Sequence, residues 1–390
     1  MFEHDRSAFA EAQPIGFAPL AVEAPARLDL FPPDGLTPAD NARWDELGRD
    51  PASPSIFAQP WFTRAGLVHC AAGRRVRIAV VRDTAGDWLG VLPIVSRLRY
   101  GKAPFPHWSA FAHPNQFRGT PLVRRGHALR FWQTLLAGLD GRGFGRLALQ
   151  LNSLPLGDDV TLALLRCCED ANRTCKIDRQ YARAVLLPDQ PEDPETLKGS
   201  RRRRIASLER KAERELGPLE WRVSAGAGAI EPALARFLEL ERAGWKGEAG
   251  SAMASVSGTS AFFAAVAGAA AAAGRIEITE LLARGRLLAA SVHFTGTHEG
   301  FGYKMAYDEA LGAYGPGLLL LHRLTAHFRA TAMRRIDSCC APGQEPIGSL
   351  WPERMNLIDC GVALGPGLLR RGIGVLGLAE ALYHGVPQAA

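Results

Sequence analysis

A chain of 390 residues with 47% hydrophobic and 22% charged residues has the make-up of an ordinary globular protein, and its length suggests two cores rather than one. No apolar run reaches the roughly 18–20 residues needed to span a bilayer, which excludes an integral membrane protein. The net charge of +6, from 46 basic and 40 acidic residues, is a mild bias toward anionic partners and selects none.

Residues 1–40 carry several prolines but no basic stretch followed by an apolar one, so they read as a surface arm with no export signal. Seven cysteines, at 70, 167, 168, 175, 339, 340 and 360, show neither an even framework nor metal-ligand spacing. Buried free thiols in a reducing cytoplasm, and no metal, are the expectation. The runs RRVRIAVV (74–81) and WLGVLPIVSRL (88–98), joined by a Gly-containing turn, predict a hairpin. Helical spacing at 127–139, a strand at 146–152, a helix at 160–171 and a strand at 181–187 follow. Pro and acidic residues cluster at 188–200 without apolar periodicity, which predicts a boundary.

The second half opens on KGSRRRRIASLERKAERELG (198–217), where acidic residues interleave with the later basic ones. This reads as a salt-bridged, solvated helix, and without an aromatic platform no nucleic acid is expected. A helix is predicted over 231–245, then a meander of strands at 275–283, 286–295 and 300–307. A helix from Pro316, short strands at 335–340 and 355–361, and an apolar tail bearing Arg370 and Arg371 complete the chain. Both halves run hairpin, helix, strand, helix, strand, which suggests a duplicated domain.

Gly315-Pro316-Gly317 precedes four leucines. Gly315 can take a positive φ, and Pro316 fits the first helical turn without orphaning an N–H. The N–H groups from Gly317 onward then face out of a helix N-terminus, where an anion is favoured. A tight turn before a core helix explains the same residues.

The ordered set GWKGEAG (244–250), GYKMAYDEALGAYGPGLLL (302–320), IDSCCAPG (336–343) and LWPERMNLI (350–358) resembles the GNAT acyltransferase superfamily, in its CelD-like branch, related to Fem-type proteins. The resemblance implies an α/β fold of tandem GNAT-like domains, each a mixed, mostly antiparallel sheet flanked by helices. It divides the chain into an arm (1–40), a degenerate domain (41–190), an acyltransferase domain (195–365) and a tail (366–390). It also implies that Gly315, Pro316, Gly317, Leu318 and Leu319 hold the diphosphate of acetyl-CoA or another acyl-CoA, and that the strand before them pairs with the pantetheine arm. Two departures stand out: Gly315 replaces the more frequent serine, and the first half has no Gly-Pro-Gly.

Acyl transfer needs a proton acceptor, donors for the oxyanion and an acid for the thiolate. Backbone N–H groups near Met305 and Ala306 are the oxyanion candidates, provided that strand splays at a bulge. Tyr307 and Tyr314 flank the loop as acids, Asp308 and Asp337 are candidate bases, and each has a structural alternative: packing, turn capping or an ion pair. Asp337 is expected to pair with Arg354, and Glu353 with Lys246 or Lys304. Lys304, predicted on the face shared by Gly302 and Ala306, with Trp245, Lys246, Glu353 and Arg354, would line the acceptor cleft. His293, mid-strand, reads as a core histidine. The expected reaction is N-acylation of an amino sugar or other small amine, in exopolysaccharide or envelope biosynthesis. An aminoacyl-tRNA donor, an acyl carrier protein donor and a non-catalytic binding module remain as alternatives.

Overall fold

The computed structural model describes residues 25–71, 73–100, 104–141, 145–190, 199–250, 252–341 and 347–367. Most of the expected arm (1–24) and the tail from 368, with Arg370 and Arg371, lie outside them. In the first half, β1 (Arg27–Phe31), α1 (Pro38–Leu47) and α2 (Pro60–Cys70) precede the hairpin β2 (Val76–Arg82) and β3 (Trp88–Arg97). Then come β4 (His107–Ala110), β5 (Leu122–Val123), α3 (Ala128–Gly141), β6 (Ala148–Pro155), α4 (Asp159–Asp170) and β7 (Cys175–Leu186). The second half holds α5 (Gly199–Leu216), β8 (Leu219–Ala225), α6 (Ala227–Ala243), α7 (Trp245–Glu248) and α8 (Ser257–Ala272). It continues with the meander β9 (Ile276–Ala283), β10 (Arg286–Thr295) and β11 (Glu299–Tyr307), then α9 (Pro316–Arg329), β12 (Arg335–Asp337), α10 (Ile347–Leu350) and β13 (Glu353–Ala363).

All strands join one mixed sheet in the order β1-β2-β3-β4-β6-β13-β7-β12-β11-β10-β9-β8, with β5 on β3. Most pairs are antiparallel; β4 with β6 and β11 with β12 are parallel. Each parallel pair needs a crossover helix, supplied by α3 and α9 respectively. The middle of the sheet is reciprocal. β13, from the second half, lies between β6 and β7, and β7, from the first, lies between β13 and β12.

Helix ends follow local chemistry. Thr37 and Asp40 cap α1 reciprocally, and Asp158 caps α4 by accepting the Val160 N–H at 2.9 Å. Gly315 sits in the left-handed region (φ 60°, ψ 45°) and Pro316 occupies the first position of α9. The same helix buries Leu319, Leu320, Leu321, Leu324 and Phe328, each contributing about 1.5–3 kcal/mol from area removed from water.

On the second half, α5, α9 and α10 cover one face of the sheet and α6 and α8 the other. The second of these layers is continuous with the first half: Phe62 of α2 meets Phe262 of α8 edge-on at 5.3 Å. Among the described residues no helix is long and apolar enough to cross a membrane. The cysteines are free thiols.

Candidate active site

β11 loses a neighbour half-way along. Glu299, Gly300 and Phe301 pair in parallel with Arg335, Ile336 and Asp337, and there β12 ends. From Gly302 to Tyr307 the strand pairs, among the described residues, only with β10 on its other side. Its register slips by one: Val292 faces Lys304 while His293 faces Gly302, leaving Tyr303 as a bulged residue. Beyond the last residue of β12, Cys339 takes a positive φ of 53°, a strained conformation for a residue with a side chain, held by its N–H donating to Asp337 Oδ1 at 2.9 Å. Beyond Phe301, this side of β11 is therefore flanked by no strand among the described residues.

The bulge corrects the expected facing of β11. Tyr303 and Ala306 pack on the α6/α8 side, whereas Met305 contacts the α5/α9 side. Lys304 Nζ lies 5.5 Å from the Phe117 ring and 5.8 Å from the Tyr303 ring, so it stays on the side of Ala306 and the bulged Tyr303 joins it there. One inserted residue is enough to break the period of two.

The end of this edge meets the start of α9. Gly315 N–H is bonded to Gly312 O, and the N–H groups of Leu318 and Leu319 both donate to Gly315 O at 3.0 Å. Pro316 has no N–H, which leaves Gly317 to present its own at the positive end of the helix. The Tyr307 ring covers Gly317: a Cβ there would lie 3.2 Å from its Cδ1. Leu208 of α5 closes on Gly315 in the same way, at 2.9 Å, and Lys211 Nζ donates to Ala313 O at 3.4 Å.

Several proposed catalytic groups are otherwise engaged. Asp308 accepts from Ala310 N–H at 3.1 Å and from Arg286 at 2.6 Å, the turn-capping alternative. Tyr314 donates to Glu215 Oε2 at 3.0 Å, and that bond pushes its phenol up. Asp337 is fully buried and bound by Arg118 at 2.8 Å and Arg183 at 3.1 Å, not by Arg354. Burial alone would raise its carboxyl, but the two guanidinium groups outweigh it and hold it low. Arg118 also binds Glu299 at 2.8 Å, so this network ties the 111–121 loop to β11 and β12. Arg354 instead donates to the carbonyls of Trp351, Pro352, Glu353 and Gly348. Glu353 Oε2 is buried with no hydrogen-bond partner among the described residues. Trp245 and Lys246 begin α7, and their side chains lie outside what is described.

The α6/α8 side of β11 contains groups that sequence reasoning missed. Tyr303 is 5% exposed, its hydroxyl has no partner among the described residues, and burial holds the phenol well above its usual range. Its ring stacks on Phe263 at 5.6 Å. Glu241 of α6, equally buried, accepts the Met253 N–H at 2.9 Å. Nothing in the sequence marks Phe117 or Arg118, whose partners lie as far as 219 residues away.

A parted parallel strand pair, a bulge beside the gap and a Gly-Pro-Gly helix start at its mouth define an acyltransferase scaffold. Residues 199–346 match the family model described as acetyltransferase (GNAT) domain, so the chain carries a GNAT domain and is an N-acyltransferase. No curated protein matches the chain. Among solved structures it resembles FemX, at 11% identity over 85% of this chain and 96% of that one, with a TM-score of 0.51. L-PGS from Bacillus licheniformis is similar at 11% identity over 88% and 95%, TM-score 0.51. A conserved protein of unknown function from Bacteroides thetaiotaomicron VPI-5482 is similar at 14% identity over 84% and 98%, TM-score 0.50. At these identities the likeness is one of fold, and it spans both halves.

Proposed function

We propose that the protein transfers an acyl group from acyl-CoA to the amine of an amino sugar or other small molecule. The observation that carries this reading is the open edge left where β12 ends and β11 continues to Tyr307, whose ring covers Gly317. The vacated edge suits a pantetheine arm, which needs backbone partners along its length, and Gly317 N–H with the α9 dipole suits a diphosphate. Attack of a neutral amine on the thioester carbonyl forms the new C–N bond, and collapse of the tetrahedral oxyanion breaks the C–S bond. N–H groups near Met305 and Ala306 are the donors for that oxyanion. Tyr303, protonated and without a hydroxyl partner among the described residues, is suited to hydrogen-bond the acceptor, and Lys304 to attract an acidic substituent on it.

The first half, residues 41–190, is proposed as a degenerate copy that shapes the acceptor cleft through Phe117, and 195–365 as the catalytic domain. The tie to exopolysaccharide or envelope biosynthesis rests on the CelD-like resemblance. A second reading, an aminoacyl-tRNA donor, is favoured by one observation: α5, which closes on Gly315, exposes Arg202, Arg203, Arg204 and Arg210. Calorimetric titration with acetyl-, butyryl- and longer acyl-CoAs, followed by mass spectrometry of an amino-sugar panel, tests the first reading. Saturable CoA binding and ribonuclease-insensitive amide formation support it; no heat with any acyl-CoA overturns it.

A further inference from the structure

At the far end of α9 from Gly317, three side chains from three elements converge. Glu277 of β9 faces His293 of β10 directly across the ladder, and His327 comes from the last turn of the helix. His293 Nε2 and His327 Nε2 lie 2.9 Å and 3.0 Å from the same carboxylate oxygen, Glu277 Oε2. We propose that Glu277, His293 and His327 form a binding site for a divalent transition-metal ion of the zinc class, with two imidazole nitrogens, one carboxylate oxygen and a fourth position open to solvent.

The donor set and its spacing carry the proposal. Zinc binds imidazole nitrogen and carboxylate oxygen at about 2.0–2.2 Å, which sets tetrahedral donors about 3.3 Å apart. The two nitrogen–oxygen separations need to open by only a few tenths of an ångström to admit the ion, and all three donor atoms already lie within 4.8 Å of one another. Imidazole with a single carboxylate favours zinc, cobalt or nickel over magnesium or calcium, which take oxygen.

The ligands are held before any ion arrives. His293 is fully buried with the Phe328 ring edge-on at 4.8 Å, and His327 lies against Trp221 at 6.2 Å. Glu277 and His327 keep 29% and 26% of their side chains exposed, which gives an entry path and the fourth position. The outer shell is incomplete: His293 Nδ1 is buried without a partner among the described residues. Outer-shell partners are worth about 10–100-fold in affinity, so binding should be weaker than at a completed site by that order. A bound ion would clip the last turn of α9 to the β9–β10 ladder, about 16 Å along the axis from the turn that starts at Pro316.

The test uses the full chain without a polyhistidine tag, freed of metal and titrated with cobalt(II). The expected result is one equivalent per chain showing tetrahedral visible bands without thiolate charge transfer, displaced by zinc. Glu277→Gln keeps an acceptor oxygen for both imidazoles but removes the anionic ligand, and His327→Ala removes a partly exposed one. Each should weaken cobalt binding by at least about tenfold and abolish a zinc-dependent rise in Tm of about 2–5 °C at saturating ion. Circular dichroism establishes that the variants are folded; should one not fold, the other decides. No tetrahedral spectrum in the unmodified chain, or an identical titration in a folded variant, overturns the site and leaves a hydrogen-bonded trio.

Discussion

Replacing Gly317 by aspartate separates donor binding from folding. The new Cβ would stand 3.2 Å from Tyr307 Cδ1 and 3.7 Å from its Cγ and Cε1, a tight contact. Tyr307 is 41% exposed and free to swing outward, so crowding should cost no more than about 1 kcal/mol. Against that, loss of a glycine from a helix gains up to about 1 kcal/mol, and a carboxylate in the first turn gains about 0.3–1 kcal/mol from the dipole. Net stability should therefore stay within about 1 kcal/mol of the parent. Donor binding should not. The aspartate keeps the backbone N–H, but its carboxylate repels the phosphate; forcing the phosphate off that N–H forfeits a charged hydrogen bond of about 1.5–3 kcal/mol and raises Kd for acyl-CoA by about 10–150-fold. Gly317→Ala, which crowds without charge, should stay below about tenfold by displacing Tyr307 alone. Calorimetric Kd values beside urea unfolding curves provide the assay. An aspartate variant that is folded and binds acyl-CoA as tightly as the parent would refute the diphosphate cradle.

Other outcomes are expected from the same geometry. Asp337→Asn leaves Arg118 and Arg183 buried with less compensation and should cost about 3–5 kcal/mol in urea, while turnover per folded molecule stays near the parent's; a specific loss of kcat at full stability would make Asp337 a base after all. Tyr303→Phe removes a buried hydroxyl that lacks a partner among the described residues, so stability should hold or rise by about 1 kcal/mol. If the hydroxyl meets the acceptor, kcat should nevertheless fall by about 100-fold, whereas unchanged kinetics would remove it from the site. His113, packed between Phe62 and Phe262, is pushed down to about 4 by burial and then by Arg74, from 6.5. The unfolded chain takes up this proton first, so stability is full above about pH 6.5 and is lost as pH falls toward 4, by about 3 kcal/mol. His113→Leu should flatten that part of a stability–pH profile, and an unaltered slope would assign it elsewhere.

The meander and the Gly-Pro-Gly helix were legible because their signals are local: period-two runs between glycine turns, and a proline fixed at a helix start. The same locality explains what was not. β7 reads as 181–187 yet begins at Cys175, since its polar outer half is a strand only through pairing with β13. The alanine-rich α8 has no amphipathic stripe, and it settles as a helix by packing against α2 and α6. For Asp337 the adjacent sequence offers Arg354, whereas the partners it finds come from a loop and a strand of the other half. Such choices are made by topology, not spacing.

The interlaced centre of the sheet bears on how the chain is made. β6 and β7 leave the ribosome early, yet the strand that fills the slot between them is born roughly 170 residues later, about 10–35 s at ordinary elongation rates. Through that interval the nascent first half carries two unsatisfied backbone edges, the feature that invites wrong partners. Holdase chaperones should crowd that stretch on translating ribosomes, and codon changes that slow synthesis downstream of β7 should lower the soluble yield without altering a single amino acid.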